Sequence, residues 1–326
     1  MKLWLIHSVS LLFSISSVTA VDFSDPSYDP KTDPRNILKY IPNNALTTAG
    51  LVCYLVVAVA QTYLTIRYGA KYMLYMAVAA YIYAAGLALR YALHSNPDSL
   101  AFGITQNILT VLAPCGFIAA DYVVLGRLSR WLKADAHLWI RPTRIAVFFV
   151  VSDLFTLNIQ GTGAGFYTSD HPERVKMGQD IVLAGLILQL ISFLFFTFIY
   201  VRLLYRVHRY EPHIWFKHSG QSFLRDWRSL AYALCFSSVG VLIRSFYRVI
   251  ELAQGSQGHI ATTEGYFYAL DALPLFLATA VFIPFWPGQY IPASEELASL
   301  DVKGIELDAT TSLPGSTSHP LLSNAA

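Results

Sequence analysis

Three ionisable residues interrupt a run apolar enough to lie in lipid: the stretch IRSFYRVIELAQG, residues 243–255, carries Arg244, Arg248 and Glu251. Their spacings of four and three place them on one face of a helix. Further on, Glu264 and Asp271 lie seven apart and share a face of their own. An isolated charge in the interior of a bilayer costs roughly 3 kcal/mol or more, so these side chains must turn towards other helices and find partners. If the two helices run antiparallel, a rise of about 1.5 Å per residue puts Arg244 and Asp271 each about 10 Å below the same end, with Arg248 and Glu264 level nearer the surface. The expectation is a ladder of two ion pairs, Arg244 with Asp271 and Arg248 with Glu264. Its carboxylates can receive a cationic head group, and its arginines keep them ionised while no ligand is bound.

Other polar groups fall inside apolar runs. SDLFTLNIQGTGAGF supplies Asp153, Asn158 and Gln160, followed by Gly161, Gly163 and Gly165. Upstream lie Gln106, Asn107, Pro114 and Asp121, and downstream Gln189. Such residues line one polar interior or simply hold helices together by hydrogen bonds. For Asn107 and Gln189 the second reading is preferred. For Asp153, Arg244, Arg248, Glu264 and Asp271 both readings stand. The candidate polar interior is therefore Asp153, Gln160, Arg244, Arg248, Glu251, Glu264 and Asp271.

The elements that carry these residues follow from composition. The chain has 326 residues, 55% hydrophobic and 13% charged, with a mean hydropathy of +0.45. Crossing hydrocarbon as a helix takes about 20 apolar residues, and unsatisfied backbone in lipid is prohibitive, so long apolar runs mean helices. The fold class is all-α, a polytopic membrane protein with seven transmembrane helices at roughly 45–66, 72–93, 102–126, 144–164, 180–201, 229–251 and 264–286. Residues 1–20, with Lys2, an apolar core and a small-residue end at Val18-Thr19-Ala20, read as a signal peptide rather than an uncleaved anchor. Residues 21–44, rich in Asp and Pro, form an outer arm. The transmembrane domain is 45–287, and 288–326 is a disordered cytosolic tail.

Charge sets the orientation. Alternate loops carry Arg67, Lys71, Arg127, Arg130, Lys133, Arg141, Arg144, Arg202, Arg206, Arg209, Lys217, Arg225 and Arg228, against Arg174, Lys176 and the arm's Lys31, Arg35 and Lys39 on the other side. That bias puts the first set in the cytosol, the N-terminus outside and the C-terminus inside. The net charge of +2 is then a matter of loop markers, and no nucleic-acid partner is implied. The basic, aromatic segment 202–228 is expected along the anionic leaflet. In the tail, Glu295, Glu296, Asp301, Glu306 and Asp308 face only Lys303.

Cys53, Cys115 and Cys235 make neither a disulfide framework nor a metal spacing, and the histidines sit in loops or at span ends. No cofactor is expected, and no catalytic residues: a Gly-x-Ser-x-Gly nucleophile motif is missing, as is a Walker loop. Energy for any transport must come from a proton gradient, a partner or the lipid gradient itself.

LAPCGFIAADYVVLGRL (112–128), FVVSDLFTLNIQGTGAG (149–165), IRSFYRVIELAQG and EGYFYALDALP (264–274), closed by Pro287-Gly288, resemble the fungal RTA1-like proteins, the lipid-translocating exporter family. The resemblance runs from about 45 to 288, with the Arg-Ser-x-x-Arg-x-x-Glu block its most specific part. It implies seven transmembrane helices, a fungal source, a multi-pass protein most often of the plasma membrane, and movement of sphingoid long-chain bases or other amphiphiles with resistance to toxic lipids and drugs. Partners would be membrane lipids, long-chain bases or amphiphilic drugs; oligomeric state is open. The competing reading is a seven-helix receptor or stress sensor. Against it, the third span ends in LGRLSR with no acidic-Arg-Tyr triplet, and the seventh has no Asn-Pro-x-x-Tyr and no lysine for a retinal Schiff base.

Overall fold

Apolar runs that must satisfy their own backbone can do so only as helices, and the computed structural model is mostly helical over its described residues, which are 36, 38–132, 142–166, 171–216, 226–255 and 258–291. The expected signal peptide, most of the arm and the tail from 292 lie outside them. Six helices are long and apolar enough to cross a membrane. They are α1 (Asn44–Tyr68), α2 (Leu74–Ser95), α3 (Leu100–Trp131), α4 (Pro142–Gly165), α5 (Pro172–Tyr210) and α6 (Trp227–Ala253). The segment expected as a seventh span is composite: one α-turn at Glu264–Tyr266, a π-helical stretch at Phe267–Ala272, then α7 (Leu273–Ala280).

Local chemistry sets the helix ends. Asn43 caps α1, its side chain accepting from the Ala45 and Leu46 amides. Asp226 caps α6 by accepting from the Arg228 amide. Pro172 opens α5, where its missing N–H costs nothing. Two helices overrun their expected spans because hydropathy marks the hydrocarbon slab rather than the helix. α5 runs on through Arg202, Arg206 and Arg209 to Tyr210, all good or tolerable helix formers, and a further turn at Pro212–Phe216 follows. At the C-terminal end Pro287–Tyr290 forms one more turn with Tyr290 and Ile291 buried. The packed chain thus passes the boundary expected at 287.

Each helix packs on the next in sequence, and α7 returns to pack on both α6 and α1, so the bundle closes on itself, with α3 also reaching across to α6. More than half of the apolar stretch of α3 and of α6 is buried, against about a quarter for α1, α4 and α5, whose outward faces carry Val56, Val59, Phe155 and Ile191. Those exposed apolar faces suit lipid contact. The end holding the start of α1 and the α2–α3 turn is called the outer end, after the loop-charge bias.

Small residues bring the backbones together. At Gly240 an added Cβ would sit 2.6 Å from the Pro274 carbonyl oxygen and 3.0 Å from the Ala278 Cβ, so only glycine lets α6 lie against the start of α7. Gly163 and Gly178 do the same for α4 and α5: a Cβ on either would come within 2.7 Å of the other's carbonyl oxygen. Gly161, two residues before Gly163 and so on the other side of α4, has nothing within 4 Å of that position. Gly240→Leu is therefore expected to lower stability by about 1–3 kcal/mol through overpacking, read as a lower melting temperature of the detergent-solubilised protein. Gly161→Ala should leave it unchanged or slightly raised.

Candidate functional site

The charged residues of α6 meet the π-helical segment near the outer end. On α6, Ser237, Gly240, Arg244, Arg248 and Glu251 follow one another at intervals of three and four, and that face turns inward. Asp271 lies within the π stretch, fully buried, and faces it. Its Oδ1 is 2.8 Å from Nε of Arg244, and its Oδ2 is 2.5 Å from Nη2 of Arg248. Tyr83 of α2 donates its hydroxyl to the same Oδ2 at 3.4 Å. Arg244 also donates through Nη2 to the Thr110 carbonyl of α3 at 3.1 Å, tying the central helix to the network. Arg248 holds a second carboxylate, Glu251, at 3.1 Å, and the Tyr247 hydroxyl donates to Glu251 at 3.0 Å.

The π stretch exists where an ordinary helix would have lost bonds. Pro274 has no N–H to return to the preceding turn. Neighbouring α1 supplies side-chain donors along this segment: the Tyr54 hydroxyl donates to the Ala272 carbonyl at the end of the π stretch at 2.8 Å, and the Gln61 amide to the Thr279 carbonyl near the end of α7 at 2.9 Å. Backbone at membrane depth is tolerated only when satisfied in this way, and π stretches of this kind recur at functional sites.

Glu264 pairs differently from the expectation. Its partner is Arg90 of α2, with Nη2 to Oε1 at 2.8 Å, and its two oxygens also accept the Asn43 amide at 3.0 and 2.9 Å. The predicted pair Arg248–Glu264 is thus replaced by Arg248–Asp271 and Arg90–Glu264, whereas Arg244–Asp271 forms as expected. The reason is the π segment. Its wider turn rotates Asp271 towards both arginines and leaves Glu264 facing α2, a shift that straight-helix depth arithmetic cannot register. Arg90 is fully buried. Its guanidinium carbon lies 4.5 Å from the Phe267 ring centre, 5.3 Å from that of Tyr268 and 5.5 Å from that of Tyr40, and Nη2 donates to the Tyr40 hydroxyl at 3.0 Å. Sequence reasoning missed it. The signal was present: Tyr83, Leu87, Arg90 and His94 share one face of α2, and a lone arginine inside an apolar run has to be paired.

Asp153 and Gln160 are buried but belong elsewhere. Asp153 accepts the Tyr122 hydroxyl of α3 at 3.0 Å, and the Gln160 amide donates to Gln189 of α5 at 3.0 Å, which in turn reaches Cys115 Sγ at 3.3 Å. Among the described residues no hydrogen bond or ion pair joins them to the Arg–Asp network, so the expected polar interior divides into an ionic part between α2, α6 and the π segment and a second part between α3, α4 and α5, whose contacts are a tyrosine hydroxyl, two amides and a thiol. In the ionic part Arg90, Arg244 and Arg248 balance Glu251, Glu264 and Asp271. Among the described residues no group of three or more His, Cys, Asp or Glu is placed to hold a metal.

Removing one member of the Arg90–Glu264 pair strands a charge, which costs about 3–5 kcal/mol in a buried pair. Arg90→Ala and Glu264→Ala should each lower the melting temperature strongly, and the double variant should be clearly less destabilised than the sum. Additive losses would show the pair to be uncoupled.

The RTA1 like protein family matches residues 76–294, more than half of the chain. The chain is 31% identical over 192 residues to Protoporphyrin uptake protein 1 of Saccharomyces cerevisiae, covering 58% of this chain and 59% of that protein. It is 27% identical over 231 residues to the Lipid-translocating exporter-like protein RTA1 of Ajellomyces capsulatus, covering 68% and 70%. To the Sphingoid long-chain base transporter RSB1 of Saccharomyces cerevisiae it is 24% identical over 233 residues, covering 60% and 58%. The chain spans about three fifths of the length of the first curated relatives it matches. No solved structure matches. The family match begins inside α2 and takes in Arg90, Asp121, Asp153, Arg244, Arg248 and Asp271, and the chain belongs to the RTA1 like protein family.

Proposed function

We propose that this chain is a membrane lipid translocator that moves sphingoid long-chain bases or similar amphiphiles across the bilayer, spanning it seven times with the N-terminus outside and the C-terminus in the cytosol. Export of such compounds from the plasma membrane would give resistance to toxic lipids and drugs. The observation that carries the reading is the charge-balanced network of Arg244, Arg248 and Glu251 on α6 with Asp271 on the irregular helical segment. Relatives named for a sphingoid base transporter, a lipid-translocating exporter and a protoporphyrin uptake protein support it, since all three names refer to amphiphiles.

The mechanism follows from the chemistry of the cargo. A long-chain base has one ammonium on an apolar tail, so its head needs a carboxylate inside the bundle while its tail stays in lipid. Glu264, partly accessible at the outer end, and Asp271, seven residues further along, offer two such stations, with Asp153 deeper still. Asp271 gives up an arginine to take the ammonium, and Arg248 falls back on Glu251. Exchange of partners couples binding of the head group to movement of α6 against α7.

The test is translocation of a labelled long-chain base in vesicles reconstituted with purified protein, compared with Arg244→Ala, Asp271→Asn and empty vesicles. Wild type should exceed empty vesicles, and both variants should fall to the empty-vesicle rate when compared at equal amounts of reconstituted protein. Ligand binding by wild type with no change in lipid distribution would favour a receptor and overturn the translocator reading.

A further inference from the structure

Below the ionic network lie two carboxyl groups with no cation to neutralise them. Asp121 of α3 is fully buried, accepts the Ser237 hydroxyl of α6 at 2.8 Å through Oδ2, and leaves Oδ1 buried with no hydrogen-bond partner. Asp153 of α4 is 4% exposed, accepts the Tyr122 hydroxyl through Oδ2, and likewise leaves Oδ1 buried and unpartnered. Neither takes part in any ion pair among the described residues. They share a level. Asp121 is ten residues from the inner end of α3, Ser237 ten from that of α6 and Asp153 eleven from that of α4, each about 15 Å in. Arg244, seven residues further along α6, is about 10 Å outward.

The groups around this level are few. α6 presents Ser237 and Cys235, α5 presents Tyr200, α4 presents Asp153, and α3 itself adds Tyr122 and Cys115. α2 meets this stretch of α3 with Ala79, against which Gly116 packs. The nearest arginine along α3, Arg127, sets its guanidinium 4.1 Å over the Tyr72 ring, away towards the inner end. An ionised carboxylate enclosed by hydroxyls and apolar side chains in a bilayer carries the full cost of its charge. It has two ways to shed that cost: to hold a proton or to meet a mobile cation.

We propose that Asp121, together with Asp153, is the proton-carrying site of this protein, and that its proton is exchanged for the cationic head group of the cargo. With no head group at this level the carboxyl O–H is intact. When an ammonium descends from Asp271 along the shared inward face of α3 and α6, the O–H bond breaks, the proton passes to water on the side towards which the site is open, and the carboxylate pairs with the ammonium. Return of a proton from the opposite side releases the ammonium. One proton then moves against one cationic lipid, so a proton gradient drives the lipid. This assignment rests on the translocator reading, and it adds the coupling ion and its site.

The direct test is infrared spectroscopy of the full-length protein in lipid vesicles at neutral pH. Wild type should show the C=O stretching band of a protonated carboxyl; Asp121→Asn should lose part of it, and sphinganine should diminish it in wild type beyond any change in empty vesicles. Should Asp121→Asn fail to assemble, Ser237→Ala keeps both carboxyls and removes one hydrogen bond, and the band should move to higher frequency. Absence of the band in wild type, or its indifference to both variants, overturns the proposal whether or not the protein transports lipid. The second measurement is accumulation of a labelled long-chain base under a gradient of about one pH unit. One-for-one exchange sustains a ratio of about tenfold in wild type beyond empty vesicles, and the Asp121→Asn ratio should not respond to the gradient. Translocation that ignores the gradient in wild type sinks the proton site and leaves the translocator standing. No translocation at all removes the translocator, and the infrared band still decides the proton site.

Discussion

Asp271 held between two arginines is the constraint on which the rest of the bundle depends. A carboxylate in the membrane interior is tolerated only with its charge met, and both cations come from α6, one turn apart. That fixes the register of α6 against the final helical segment. The two backbones must approach closely for the side chains to reach, which Gly240 permits by offering the Pro274 carbonyl an open face. Pro274 in turn withdraws a backbone donor, the helix widens into a π stretch, and Tyr54 and Gln61 of α1 take up the carbonyls of Ala272 at its end and of Thr279 further along α7. The ion pair, the glycine, the proline and the two α1 donors thus form one structural unit, and none of them is explicable alone.

The bundle splits its ionisable residues by depth. Near the outer end three arginines meet three carboxylates, with aromatic rings of Tyr40, Phe267 and Tyr268 around Arg90. At mid-depth Asp121 and Asp153 meet only hydroxyls. α3 serves both levels, through the Thr110 carbonyl at Arg244 and through Asp121 at Ser237, and it is one of the two most buried helices. The α3–α6 seam therefore joins the two levels.

Much of this was legible in the sequence, for reasons that also mark where reading stopped. Composition and run length gave the helical class because lipid allows little else. Same-face spacing gave Arg244, Arg248 and Glu251 as one unit and paired Arg244 with Asp271 correctly. Depth arithmetic failed for Glu264 because it assumes a uniform rise and turn, and six residues of π helix break both. Arg90 escaped notice because it has no charged neighbour at three or four residues, so the pattern that exposed α6 was silent in α2; only the cost of a solitary arginine pointed to it. Asp121 was seen as polar but not as uncompensated, since that property depends on what three other helices fail to bring. Helix ends at Tyr210 and Trp131 lie beyond the hydropathic spans because a helix does not stop where lipid does.

Arg248 is the member of the outer network best placed to change partner. It contacts Asp271 at 2.5 Å and Glu251 at 3.1 Å at once, so parting from one leaves it paired with the other. Arg244 has no second carboxylate and is anchored instead to a backbone carbonyl of α3. If an ammonium displaced Arg244, a buried guanidinium would be left without an anion, a loss of several kcal/mol. If it displaced Arg248, the charge count at each residue would remain met: Asp271 by the ammonium and Arg244, Arg248 by Glu251. An exchange of this kind would therefore open at Arg248, with Arg244 left holding Asp271. Glu251, 22% exposed at its side chain and held by the Tyr247 hydroxyl, would then be the carboxylate that keeps Arg248 paired.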